Sequence, residues 1–250
     1  MFRSELVRFK RFFLASVGRD VRVKRDIACP SVRFGSEHAG WHVIAGLLGS
    51  DSLVYSFGVG EDVSFDVELI EALGVTVHAF DPTPRSIRWV ASQDLPRKFN
   101  MHDVGIAAFD GTATFSPPED PTFISHTILA REAASGTAIQ VNVRRLSTLM
   151  SELGHRHLDI LKMDVEGAEY EVIEALVSSE IRPAQILVEF HHRFPEVSIE
   201  STETAIEALR SIGYRVFHVS PRGEEISFVR GDLVADVTGY KRVGPEQRGT

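Results

Sequence analysis

The sequence predicts an α/β fold: a mostly parallel sheet with helices on both faces. Three observations carry that prediction. Residues 157–176, HLDILKMDVEGAEYEVIEAL, read as buried strand, acidic turn and helix. Leu158, Ile160, Leu161 and Met163 form a short apolar run, and Ala168, Val172 and Leu176 then recur at the spacing of one helix face. Residues 53–80 repeat the pattern as strand, glycine turn, helix and strand. Tyr214–Val219 and Glu225–Val229 read as a closing pair of strands. Strands alternating with helical segments of this length are the pattern of a parallel sheet.

Composition narrows the classes. A chain of 250 residues can bury a sizeable core as one domain or as a domain with an extension. Its 43% hydrophobic and 25% charged content is ordinary for a globular protein in water. The net charge of −8 argues against wholesale nucleic-acid binding. Cys29 is the single cysteine, which excludes an internal disulfide or a zinc cluster and suits a reducing, cytoplasmic compartment. No apolar run approaches the roughly 20 residues that span a bilayer. Phe12–Ala15 is too short, and too flanked by charge, for a secretion signal.

Taken in order, residues 1–25 stand apart, with eight Lys and Arg against Glu5 and Asp20. Phe2, Leu6, Phe9, Phe13 and Val17 form a helical stripe. A basic amphipathic helix of this kind suits peripheral contact with an anionic membrane or a partner, and equally a terminal helix packed on its own domain. Ser31–Trp41 is a polar, glycine-bearing loop with His38 and Trp41. The boundaries follow as 1–50 for the basic helix and a substrate-side extension, 51–243 for the main domain, and 244–250 for a flexible tail.

Leu53–Phe57 is a strand running into Gly58-Val59-Gly60-Glu61. Val63, Val67 and Ile70 mark the helix after it, and Val75–Phe80 is a strand ending in Asp81-Pro82. At such a turn the glycines let a ligand approach the backbone, and an acid about 20 residues on can hold an adenosine ribose. A dinucleotide fingerprint wants a third glycine where Val63 stands, and Glu61 and Asp62 sit where a pyrophosphate would be repelled. Acids there suit a ligand carrying cations instead. Further on, Thr83–Ser92 reads as a helix, Lys98–Asp103 as a strand, and Phe109–Phe115 as a hairpin through Asp110-Gly111. Ser116–Gly136 reads as a loop or lid. Ile139–Arg145 reads as a strand with one wet face, and Leu146–Leu153 as a helix capped by Ser147. Ala184–Phe190 is a buried strand followed by His191-His192, and Thr202–Ile212 is a helix closed by Gly213.

The stretch LDILKMDVEGAEYEVIEAL resembles the signature of the FkbM family of methyltransferases: a buried strand ending Leu-Leu-Lys-Ile-Asp, then Glu-Gly-Ala-Glu. The likeness covers roughly Ser52–Val219. It implies a Rossmann-like class I methyltransferase fold, with a mostly parallel seven-stranded sheet and an antiparallel strand near the C-terminus. It implies S-adenosyl-L-methionine (SAM) as cofactor and a hydroxyl of a sugar or natural-product-like molecule as methyl acceptor. Ser56 departs from the pattern, standing where many methyltransferases carry an acid.

Phe57, Gly58, Gly60, Glu61, Asp81 and Asp103 are the expected cofactor contacts. Asp164, Glu166, Glu189 and His191 lie at strand ends on one rim, where a base for the hydroxyl is needed. Lys162, inside an apolar strand, completes the catalytic set and is expected to pair with Asp164 or Glu189. Asp164, Glu189 and His191 could also hold Mg²⁺. Trp41, His38 and His192 are the expected substrate contacts. The alternatives are an NAD-type oxidoreductase and a catalytically silent binding protein of the same fold.

Overall fold

The computed structural model describes residues 20–115, 138–236 and 241–242. The stripe before Asp20, the Ser116–Gly136 segment and the 244–250 tail lie outside them. In chain order the elements are β1 (Ile27–Ala28), β2 (Val32–Phe34), β3 (Trp41–Val43), β4 (Leu53–Phe57), α1 (Ser64–Leu73), β5 (Thr76–Phe80), α2 (Pro84–Ala91), β6 (Phe99–His102), β7 (Gly105–Ile106), β8 (Gly111–Phe115), β9 (Ile139–Arg144), α3 (Leu146–Glu152), β10 (Ile160–Met163), α4 (Glu169–Ser178), β11 (Gln185–Glu189), α5 (Ile199–Ser211), β12 (Tyr214–Val219), β13 (Glu225–Arg230) and β14 (Lys241–Arg242).

The central sheet has seven strands in the order β12-β13-β11-β10-β4-β5-β6. The strands from β11 to β6 run parallel, and β13 runs antiparallel between β11 and β12. The expected mostly parallel sheet with a late antiparallel strand is therefore the fold. From β4 the chain first builds outward through β5 and β6, then returns to place β10 on the other side of β4. The carboxyl ends of β4 and β10 thus flank the switch point, where open α/β sheets bind ligands.

Packing follows the apolar pattern. Every residue of β4 and β10 is buried. Tyr55, Phe57, Phe80, Leu161 and Ile186 face Val172 and Leu176 of α4 and Ile206 and Leu209 of α5. Val54, Val77, Ile160 and Leu187 face Phe65, Leu69 and Ile70 of α1 and the Trp41 ring. Each face of the sheet thus carries its own apolar layer, consistent with the continuous hydrophobic runs of a parallel sheet.

Three local expectations change. Phe109–Phe115 is not a hairpin: β8 pairs antiparallel with β9 and β7 pairs parallel with β9, forming a separate three-stranded sheet. Asp110 turns instead to the head of α3, accepting from Arg145 N at 2.8 Å and Thr148 Oγ1 at 3.1 Å. Arg145, not Ser147, is the residue before that helix. Ser31–Trp41 is more than a loop, because β2 and β3 pair antiparallel within and just beyond it.

The N-terminal segment is fastened to the sheet end. Asp20 is buried, and its carboxylate meets His192 Nε2 at 2.9 Å and Arg193 Nη2 at 3.0 Å. Asp26 forms a fork with Arg210 and accepts from Val216 N at 2.9 Å. Gln185 of β11 exchanges hydrogen bonds with the Ile44 backbone, at 2.8 and 3.2 Å.

Candidate active site

A cavity of about 340 Å³ opens at the switch point. Its walls come from the β4–α1 turn, the end of β5, the β10–α4 turn, Glu189, Ile106, Phe115 and the His38–Trp41 segment. That volume lies in the small-molecule range of about 300–1,000 Å³.

The β4–α1 turn is made by glycines. Gly58 has φ +80° and Gly60 φ +57°, conformations that suit residues without a Cβ. A Cβ on Gly58 would stand 1.8 Å from the Asp164 carbonyl oxygen, so this turn and the β10–α4 turn are pressed together. Asp81 laces the same turn. Its Oδ2 accepts from Val59 N at 3.1 Å and Gly60 N at 3.0 Å, and its Oδ1 from Thr83 N at 2.9 Å and Thr83 Oγ1 at 2.7 Å. Phe57 and Phe80 stack at 4.5 Å below it. Glu61 is held by a bidentate Arg85 at 2.8 and 2.9 Å. Asp62 accepts from Ser64 N at 2.8 Å and Ser36 Oγ at 2.7 Å, and so occupies the N-terminus of α1.

Lys162 is buried, and it does not pair as expected. Its ammonium donates to the carbonyls of Phe57 at 3.2 Å and Gly58 at 2.7 Å. Lys162 lies directly opposite Ser56 in the β10–β4 register, which places its amine under the glycine turn rather than at the acids beyond β10. It also sits 5.9 Å from the Trp41 ring centroid.

The acids and His191 do converge. His191 Nε2 lies 3.8 Å from Asp164 and 3.4 Å from Glu166, and Nδ1 lies 3.2 Å from Glu169. Glu169, absent from the sequence-derived set, is the anchor. It is fully buried and accepts from the amides of His191 and Gly167, both at 2.9 Å. Its signal was the second acid of Glu-Gly-Ala-Glu. Glu166, at φ +50°, is the non-glycine residue with positive φ among the described residues, and this turn delivers its carboxylate to His191.

These contacts set the charges. Burial alone would push the His191 imidazole down; the Glu169 hydrogen bond and the charges of Glu169, Glu166 and Asp164 overcome it and lift it to about 10. These contacts favour the protonated form of His191, which has no lone pair with which to take a proton. Glu189 is pushed up to about 8 by burial and by the neighbouring Asp164 charge. Asp164, Glu166 and His191 offer ligand atoms within 4.8 Å of one another, so the trio with cation-binding geometry includes Glu166 rather than Glu189.

His38 and Trp41 are on the cavity wall. His192 is not. It is buried against Asp20, which makes it a structural anchor rather than a substrate contact. Asp103 is exposed after β6 and outside the cavity lining. Asp66 of α1 was also missed. It is buried on the cavity wall, and its signal was an acid on the apolar stripe of Val63 and Ile70.

Parts of known proteins are similar to this chain. The chain is 27% identical over 207 residues to the probable methyltransferase-like protein 24 of Rattus norvegicus, covering 78% of this chain and 48% of that protein. The Homo sapiens protein of that name is 27% identical over 176 residues, covering 66% and 42%. The chain thus spans about half the length of the curated relatives it matches. Among solved structures, the methyltransferase FkbM of Methylobacillus flagellatus KT has a TM-score of 0.45 at 13% identity, covering 73% of this chain and 44% of that one. Aeropyrum pernix fibrillarin, solved with natively bound S-adenosyl-L-methionine, has a TM-score of 0.41 at 12% identity, covering 73% and 66%. The methyltransferase FkbM domain matches residues 52–216, from the start of β4 into β12. The chain belongs to the FkbM methyltransferase domain family.

Proposed function

We propose that this chain is a SAM-dependent methyltransferase that methylates a hydroxyl oxygen of a sugar-like or small natural-product-like molecule, with Glu189 as the base. The observation that carries the reading is the meeting of two features in one cavity: the glycine turn laced by Asp81, and a carboxyl, Glu189, raised to about 8. The wall fits the cofactor. It presents Asp62 of the β4–α1 turn, Asp66 of α1 and Asp81 after β5, complementary to a sulfonium and an ammonium, and the buried Asp66 Oδ1 lacks a donor. When bound, SAM supplies an electrophilic methyl group.

The residues then divide the work. Phe57, Gly58, Gly60 and Asp81 form the cofactor side, and Trp41 and His38 the acceptor side. Glu189 would take the proton of the acceptor hydroxyl as that oxygen receives the methyl group SAM supplies; a base tuned near the working pH is the effective one. His191 keeps its proton and holds Asp164 and Glu166 in place. The dinucleotide alternative loses support, because Asp62 already occupies the α1 amide end that a pyrophosphate would need.

Titration calorimetry tests the reading. SAM and S-adenosylhomocysteine should bind at micromolar concentrations and NAD should not. NAD binding without SAM binding would overturn it. Transfer of labelled methyl from SAM to nitrogen or sulfur acceptors, but never to hydroxyls, would overturn the oxygen assignment alone.

A further inference from the structure

Among the described residues, three buried side-chain polar atoms have no hydrogen-bond partner: Ser56 Oγ, Asp66 Oδ1 and His192 Nδ1. Asp66 alone of the three lines the cavity, and it is 3% exposed. A carboxylate at this depth is normally paired or hydrogen-bonded. The Ser56 hydroxyl stands beside it, itself without a partner, and the other neighbours are committed elsewhere. Lys162 donates to the Phe57 and Gly58 carbonyls. Ser64 N donates to Asp62, whose other oxygen receives Ser36 Oγ. The first turn of α1 favours negative charge there but supplies no donor to Oδ1. Burial pushes the Asp66 carboxyl up to about 6, with Lys162 and Ser56 opposing the rise and Asp62 adding to it. Its Oδ1 is left open to a further donor from the cavity that Asp66 lines.

The chemistry of that donor can be narrowed. Lys162 lines the same cavity at 6% exposure. Of the charged groups on the wall, the Asp66 carboxylate and the Lys162 ammonium are a pair of opposite sign, both largely withdrawn from water and each felt electrostatically by the other. A phosphate would be repelled by Asp62 and Asp66, and a divalent cation by Lys162. An α-amino acid carries the mirror-image pair, with an ammonium that has three N–H donors to give. The glycine turn and Asp81 lie on the same wall, so the amino acid and a nucleoside can belong to one ligand.

We propose that Asp66 accepts the ammonium of the amino-acid end of the methyl donor, with Lys162 facing the carboxylate of that end. This deepens the SAM reading and rests on it. Asp66 is then a specificity residue for the ligand rather than a helix-end charge. It distinguishes whole SAM from the nucleoside thioether that remains when the amino-acid end is absent.

The test uses two probes, S-adenosylhomocysteine and 5′-methylthioadenosine, which share adenosine and the thioether and differ in the amino-acid end. Titration calorimetry is run on the full chain and on Asp66→Asn, with circular dichroism to establish folding. The wild type should bind S-adenosylhomocysteine at least tenfold more tightly than methylthioadenosine. Asp66→Asn should erase that preference by weakening S-adenosylhomocysteine at least tenfold, while methylthioadenosine stays within twofold. Unchanged S-adenosylhomocysteine affinity in the folded variant would overturn the assignment, leaving Asp66 bound to a buried water. Equal losses for both probes would overturn it too, since Asp66 would then act through the turn. If the wild type binds neither probe, the SAM reading itself fails, which is a distinct result. Should Asp66→Asn not fold, the wild type still decides. Its preference for S-adenosylhomocysteine should shrink below about pH 6 while methylthioadenosine affinity holds, and a pH-independent preference would overturn the proposal.

Discussion

A proton on His191 governs what the surrounding acids can do. With the imidazole lifted to about 10, its charge is spent on Asp164, Glu166 and Glu169, and it has no lone pair to offer a hydroxyl. Glu189, lifted to about 8, has the basicity the proposed hydroxyl methylation needs. A base works in its deprotonated form, so turnover should rise with pH and level off above about 8. Glu189→Gln should lower turnover by roughly 100-fold or more, flatten that rise, and leave S-adenosylhomocysteine affinity within twofold. A rise that persists in the variant would assign the base elsewhere. The convergence of Asp164 and His191 was legible in the sequence because both follow apolar strands, and strand ends meet at one rim. The roles within the cluster were not legible. Which residue keeps the proton depends on Glu169, and its reach to His191 depends on the unusual turn at Glu166. The partners of Lys162 were hidden for a simpler reason: they are backbone carbonyls, and every residue has one.

The β4–α1 turn shows how much one atom matters at the level of an element. Gly58→Ala would drive a methyl group into the Asp164 carbonyl, at a φ of +80° that Ala resists. The variant should lose about 3–5 kcal/mol from overpacking and backbone strain together. Gly60→Ala meets nothing within 4 Å and should cost only about 1–2 kcal/mol, from its left-handed backbone. Urea unfolding of the two variants checks the contrast, and equal losses would mean that the turns move apart freely. The parallel strands and their helices were readable because buried strands leave continuous apolar runs and helices leave a 3.6-residue stripe. The β8–β9 pairing was not readable. Asp110-Gly111 has the local chemistry of a hairpin, but Asp110 is drawn to the head of α3, a contact across 35 residues.

Across the whole molecule, the N-terminal segment and the active rim share a neighbourhood. Asp20 holds His192 and Arg193, the two residues that follow His191, and Arg193 also pairs with Glu224 at 2.9 Å. The basic segment 1–25 is therefore not one separable unit, because Asp20 and Val21 at its end are buried. Asp20→Ala should cost about 3 kcal/mol, since it strands a buried histidine and an arginine without their acid. For a chain of this size that is a fall of roughly 6–12 °C in the unfolding midpoint. S-adenosylhomocysteine affinity should hold within twofold, because Asp20 is not on the cavity wall. A loss of affinity in the folded variant would show that the anchor also shapes the site.

Asp81 has a temporal consequence. A carboxylate has about four lone-pair sites, and all of them are filled by Val59, Gly60 and the two donors of Thr83. On the proposed reading, an arriving ribose must compete with the protein's own amides before it can be held. Association should therefore be gated by release of the turn. In stopped-flow binding the observed rate should climb with ligand concentration and then reach a ceiling, whereas a rate that stays linear to the highest concentrations would mean that the latch opens faster than the ligand arrives.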